Sequence, residues 1–258
     1  MPDRDTTPDH EPEPAGPATL YRRRMAERYN ELNPWAADNE FYLELVMSAS
    51  SVLDIGCGTG MLLHRARQAG HQGRLCGLDP DPAMLDQARV RPDVDWVLAR
   101  AASMTWDRQF DLAVMTGHAF QQLVTDEDLR TSLAAVRAAL RGGGRFAFET
   151  RNPAPRPWQR WRGGDPIEIT DDSGTTVQVR RHARIVVADD VVHIESVLTV
   201  PGSGGEQVAH SSLRFLDPET LAGFLADAGL VIDEQYGDWD RSPLTGASPE
   251  IITVARPT

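Results

Sequence analysis

Val52-Leu53-Asp54-Ile55-Gly56-Cys57-Gly58-Thr59-Gly60 is an apolar strand that runs directly into a glycine-rich turn. Met61 to Ala69 reads as a helix that stops at Gly70, so the turn sits at a helix N-terminus. Glycines there let backbone approach a ligand closely, and free N–H groups favour a carboxylate or a phosphate. A dinucleotide site needs G-x-G-x-x-G. Counted from Gly56 and Gly58 the third position holds Met61, and counted from Gly58 and Gly60 it holds Leu63. The dinucleotide template fails in both registers, which disfavours a nicotinamide-dependent oxidoreductase.

Outward from this turn, strands and helices alternate. Arg74 to Leu78 is strand-like, Asp81-Pro82 starts a helix, and Val94–Leu98 and Phe110–Thr116 are further strands. Thr125 caps a helix with the stripe Leu129, Leu133, Val136 and Leu140, which Gly142-Gly143-Gly144 stops before a strand at Arg145–Glu149. Such alternation predicts an α/β fold with a parallel sheet covered by helices on both faces. From Arg151 to about Phe215 it breaks. Ile167–Thr170, Thr175–Val187, Val191–Val200 and Gln207–Phe215 read as successive strands of an inserted antiparallel sheet, with turns at 172–174, 189–190 and 201–205. A helix from Asp217 and two strands, Val231–Tyr236 and Glu250–Ala255, then complete the chain as a hairpin. At the other end, Pro2, Pro8, Pro12, Pro14 and Pro17 punctuate an acidic stretch, 1–18, which reads as a disordered tail. Helical spacing from Thr19 to Asn33-Pro34 and from Asp38 to Met47 predicts a helical cap over 19–48. The main domain is therefore expected at 19–150 and 216–258, with the insert at 151–215 as a substrate cover.

Asp54 followed by Gly56, Gly58 and Gly60, with a second acidic residue, Asp79, 25 positions later at the end of the next strand, resembles the first two motifs of the class I S-adenosylmethionine-dependent methyltransferases. The resemblance covers roughly Leu20–Glu149 and Leu216–Arg256. It implies a Rossmann-like, doubly wound seven-stranded sheet with its last strand antiparallel. It also implies S-adenosyl-L-methionine as cofactor, bound by Asp54, Gly56, Cys57, Gly58, Asp79, Pro80, Met84, Ala101, Ala102, Thr116 and Trp35. Gly56 and Gly58 would pass close to the methionine portion, Asp79 would hold the ribose hydroxyls, and Pro80 and Met84 would border the adenine. Asp54 either touches ligand or ties the glycine loop. Many members carry an acid after the third strand for the adenine amino group; here the chain reads Ala99-Arg100-Ala101-Ala102-Ser103. Backbone groups of Ala101 and Ala102, or Ser103, would read the ring instead, and Arg100 either stacks on it or points to solvent.

Ligands of open α/β sheets bind beyond the carboxyl ends of the strands. Met115-Thr116-Gly117-His118 follows the fourth strand, so His118 is the candidate general base, the competing roles being a bond to a loop carbonyl or a place bordering the cofactor without proton transfer. Tyr29 is the second catalytic candidate, on the leading segment that in the resembling family closes the site. Arg151 and the run Arg156–Arg162 form a basic, aromatic loop that suits an anionic or aromatic substrate, or simply a solvated surface. No His, Cys or carboxylate spacing argues for a metal.

The expected reaction is methyl transfer to nitrogen or oxygen of a small molecule, for instance a natural-product intermediate; the same motifs would also serve a protein that binds the cofactor without transferring methyl, as a regulator, scaffold or cyclase. A formal charge of −12 disfavours nucleic acid. No apolar run is long enough to span a membrane, no signal-peptide pattern opens the chain, and two cysteines make no disulfide scaffold, so a cytoplasmic setting is expected. An antiparallel insert can mediate a homodimer as readily as cover a pocket.

Overall fold

The computed structural model describes residue 23 and residues 25–161, 167–170, 176–179, 182–199 and 206–258. The proline-rich tail and the turns at 172–174 and 201–205 lie outside the described residues.

Seven strands make the central sheet: β1 (Ser51–Ile55), β2 (Arg74–Asp79), β3 (Asp95–Leu98), β4 (Phe110–Met115), β5 (Leu140–Arg151), β11 (Leu230–Tyr236) and β12 (Glu250–Pro257). Their order is β11-β12-β5-β4-β1-β2-β3. Pairing is parallel from β3 to β5, and β12 runs antiparallel to both β5 and β11. All of β1 is buried, as a strand covered on both faces must be. Alternate residues feed two apolar layers. Leu53, Ile55, Leu78, Phe146 and Phe148 pack with Leu129 and Leu133 of α4 (Asp126–Ala139) and Leu221 and Leu225 of α5 (Pro218–Asp227). Val52, Leu75, Leu112 and Val114 pack with Tyr42 and Val46 of α1 (Ala37–Met47) and Leu62 and Leu63 of α2 (Met61–Gln68). The remaining helix, α3 (Pro82–Ala88), follows β2 and is capped by Asp81, whose carboxylate accepts from the Ala83 N–H.

Three local expectations shift. The helix expected to run unbroken to Leu32 is interrupted at Arg28, followed by a single helical turn, Tyr29–Leu32. The triple glycine is not the stop of α4. That helix ends at Ala139 because Leu140 turns extended and pairs with Phe110, and the N–H groups of Arg108 and Gln109 take up the carbonyls of Ala138 and Ala139. Gly142–Gly144 then fall where the β4–β5 register shifts. Finally, Thr175–Val187 is two strands rather than one. β7 (Thr176–Val179) pairs with β6 (Ile167–Thr170), whereas β8 (His182–Ala188) joins β9 (Val191–Thr199) and β10 (Glu206–Arg214) in a separate antiparallel sheet.

The glycine turn is locked from below. Gly56, Gly58 and Gly60 all have positive φ, at 76°, 54° and 75°. Trp96 of β3 fills the space that side chains on Gly60 and Gly77 would need: an added Cβ would come within 2.4 and 2.5 Å of its ring. Gly77→Ala should therefore destabilise the fold by about 1–3 kcal/mol, read as a lower urea midpoint at unchanged m-value; an unchanged midpoint would show that Trp96 yields freely.

Candidate active site

A cavity of about 320 Å³ opens at the carboxyl ends of β1, β2 and β4. Its walls include Gly56 and Gly58 from the turn, Asp79, Pro80, Asp81 and Met84 after β2, Arg100 and Ala101 after β3, and Thr116, Gly117 and Gln122 after β4. Tyr29 closes one side. The leading segment is held there because Thr59 of the glycine turn donates a 2.5 Å hydrogen bond to the side-chain oxygen of Asn30.

Asp79 is buried yet faces the cavity. One oxygen accepts from the Gly58 N–H and the other from the Asp81 N–H, each at 2.8 Å. A carboxylate has about four acceptor sites, so a fixed pair is left for hydroxyl groups. Burial raises the Asp79 pKa above the ordinary carboxylate value, and the two backbone bonds partly oppose it. Gly58 faces open space, since a Cβ there would meet nothing within 4 Å. Asp54 lies behind the turn, 1% exposed, with one carboxyl oxygen buried and unpartnered. Burial, with the negative charges of Asp79 and Glu149, pushes its pKa up to about 8.

A second polar cluster stands beside the cavity. Glu149, at the end of β5, is 1% exposed. It accepts the Tyr42 hydroxyl on one oxygen and the His118 N–H, at 2.6 Å, on the other. Burial raises the Glu149 pKa, and burial together with Glu149 raises that of Tyr42 well above the usual phenol value. Gly117 and His118 are both left-handed, with φ 63° and 60°, an unusual conformation for a non-glycine residue. The His118 side chain turns to Glu250, with Nε2 3.0 Å from Oε2. Its partner is thus a carboxylate and not a loop carbonyl.

Of the residues singled out by sequence, Tyr29, Gly56, Gly58, Asp79, Pro80, Met84, Ala101 and Thr116 line the cavity. Trp35 does not. After Asn33-Pro34 the chain swings toward α2, so the Trp35 indole donates to Glu40 at 2.6 Å and stacks under Arg65 in a separate groove. Cys57 also points away, packed with Leu85, Ala88 and Trp96, where burial and nearby carboxylates raise its thiol pKa. Ala102 is outside the lining, while Arg100 is part of it. Glu149, Glu250 and Tyr42 carried no local signal; they meet only through strand pairing and helix packing. His64 and His71 bond the Ala88 and Ala49 carbonyls, and no metal-binding cluster occurs among the described residues.

Residues 52–144 match the family described as Methyltransferase domain. The 2-phytyl-1,4-naphtoquinone methyltransferase of Thermosynechococcus vestitus is 30% identical over 156 residues, spanning 54% of this chain and 68% of that protein. The chain belongs to the class I S-adenosylmethionine-dependent methyltransferases. The cypemycin N-terminal methyltransferase of a Streptomyces species is 26% identical over 211 residues, 81% of the methyltransferase described here and 83% of the relative. In fold, the methyltransferase is similar to the crystal structure of an S-adenosylmethionine-dependent methyltransferase from Clostridium acetobutylicum. The TM-score is 0.71 at 18% identity, covering 92% of this chain and 98% of that one. The cofactor is S-adenosylmethionine, and the cavity suits it: free acceptor sites on Asp79, open space above Gly58 and an unpartnered carboxyl oxygen on Asp54.

Asp54 also sets a pH dependence. Between an unfolded value of about 4 and its folded value of about 8, the folded state holds a proton that the unfolded chain has released, so stability falls as pH rises through that window. Urea unfolding without cofactor should show this decline from pH 5 to 8. Asp54→Asn should reduce it by about 1 kcal/mol or more, leaving the same-sign contributions of Asp79 and Glu149; an identical slope in the variant would refute the assignment.

Proposed function

We propose that the enzyme methylates an amino or hydroxyl group of a small molecule, such as a natural-product intermediate, with His118 as proton acceptor. The observation that carries this reading is the His118–Glu250 pair, 3.0 Å apart and partly exposed, beside the segment that closes the cofactor cavity. When bound, S-adenosylmethionine supplies a methyl group already activated on a sulfonium, and S-adenosylhomocysteine is the product.

The chain's own work is then mostly positioning and exclusion of water. Asp79 would hold the ribose hydroxyls, Gly56 and Gly58 would let the backbone lie against the methionine portion, and Pro80, Met84 and Ala101 would border the adenine. Arg100 lines the same wall and takes the place where many relatives have an acid. Tyr29 would cover the reacting end. A hydroxyl or ammonium acceptor must lose a proton, and His118 is oriented by Glu250 to receive it. The relative named for N-terminal methylation supports a nitrogen acceptor. The inserted sheet, tied to the body through Gln121 and the Arg214–Asp126 ion pair, supports an enclosed small acceptor.

Two outcomes test this. Asp79→Ala should weaken calorimetric binding of S-adenosylmethionine and S-adenosylhomocysteine at least tenfold in a folded protein; unchanged affinity would reject the ribose role. Among amine and hydroxyl acceptors that yield S-adenosylhomocysteine, His118→Ala should lower kcat on a hydroxyl acceptor by about 10²-fold or more while an amine that enters neutral changes only a few-fold. Turnover kept on a hydroxyl acceptor would remove His118 as the base.

A further inference from the structure

Arg151 ends β5 directly opposite Glu250 of β12, where Cα atoms lie about 4.5–5.5 Å apart. Opposite charges at such a position ordinarily pair. Here they do not. Glu250 turns to His118, and Arg151 turns to the side-chain oxygen of Gln121, 3.1 Å from Nη1, with its guanidinium 5.4 Å from the Trp161 ring. Arg151 forms no ion pair among the described residues, and its Nε and Nη2 have no hydrogen-bond partner there. Gln121 is fully buried and is itself fixed by the Arg214 carbonyl at 2.8 Å, so the guanidinium is anchored rather than adrift. Burial penalises this cation, and only Glu250 and Glu149, at a distance, offset it. Glu149 is closed off by Tyr42 and the His118 N–H, so Glu250 is the accessible anion of the pair.

Two opposite charges thus stand side by side at the strand ends, each held by a third group and neither neutralised by the other. This rests on the methyltransferase reading of the adjacent cavity. We propose that the methyl acceptor is an amino carboxylate. Its carboxylate is bound by the free edge of Arg151, and its amino group lies at the His118–Glu250 pole. A guanidinium edge with two parallel N–H donors matches a carboxylate. The cross-strand spacing suits poles separated by one to a few carbons, and Trp161 offers an aromatic neighbour for an attached side chain.

The test is calorimetric titration of the full chain saturated with S-adenosylhomocysteine. The probes are glycine, β-alanine, 4-aminobutyrate and phenylalanine. Each is compared with its decarboxylated amine (methylamine, ethylamine, propylamine, phenethylamine) and its deaminated acid (acetate, propionate, butyrate, 3-phenylpropionate). At least one amino carboxylate should bind tenfold or more tighter than both of its truncated partners. Arg151→Gln should abolish that preference, Arg151→Lys should restore part of it, and S-adenosylhomocysteine affinity should be the same in all three proteins. The proposal is overturned if no amino carboxylate binds while S-adenosylhomocysteine does, if the bare amines bind equally well, or if Arg151→Gln keeps the preference. Failure of the folded wild type to bind S-adenosylhomocysteine would instead bring down the cofactor-site reading, and this inference with it.

Discussion

One buried carboxylate organises the reacting end of this molecule. Glu149 lies almost wholly out of solvent and accepts two hydrogen bonds, from the Tyr42 hydroxyl and the His118 backbone. Burying a charge is costly unless it is paired or hydrogen-bonded, so both donors are under strong constraint. The first fixes α1 against the sheet. The second holds Gly117-His118 in a left-handed bend, uncommon for residues other than glycine. The His118 side chain is thereby presented to Glu250, and the β4 segment closes the cofactor cavity. Helix α1, sheet and loop meet at one group.

The cofactor end uses the same device with different partners. Asp79 is oriented by the N–H groups of Gly58 and Asp81, so the turn and the start of α3 are tied to the carboxylate that faces the cavity. Asp54 has no such satisfaction, and burial with the negative charges of Asp79 and Glu149 makes it easier to protonate. An unpartnered carboxyl oxygen behind the cavity costs stability. It is the kind of local conflict expected where a site is kept ready for a ligand.

The insert is coupled to this centre. Gln121 follows His118 by three residues, receives Arg151 and donates to the Arg214 carbonyl at the end of β10. Arg214 continues the connection by bridging Asp190 and Asp126. The loop after β4, the end of β5 and the added sheet therefore share one buried amide. A ligand that engaged Arg151 would also touch the support of the added sheet.

The α/β alternation, the glycine turn, the acidic residue 25 positions after Asp54 and the place of the insert are all legible in the chain. These are local patterns: strand and helix periods, glycines where φ must be positive, a cap beside a proline. The family resemblance followed from them, and with it the cavity wall from Gly56 to Met84. Local pattern failed where distance decided. Trp35 and Cys57 sit close in sequence to cavity residues, but a bend at Pro34 and the packing of Trp96 turn them away. Arg28 breaks a helix whose apolar spacing continues through it. Glu149, Glu250 and Tyr42 carry no local signal in the chain, and Arg151 is legible there only as part of a basic loop. Only the antiparallel register of β5 with β12 and the docking of α1 bring them together. Hydrogen bonds between residues a hundred positions apart leave no periodic trace, so His118 is legible in the chain but the partners that orient it are not.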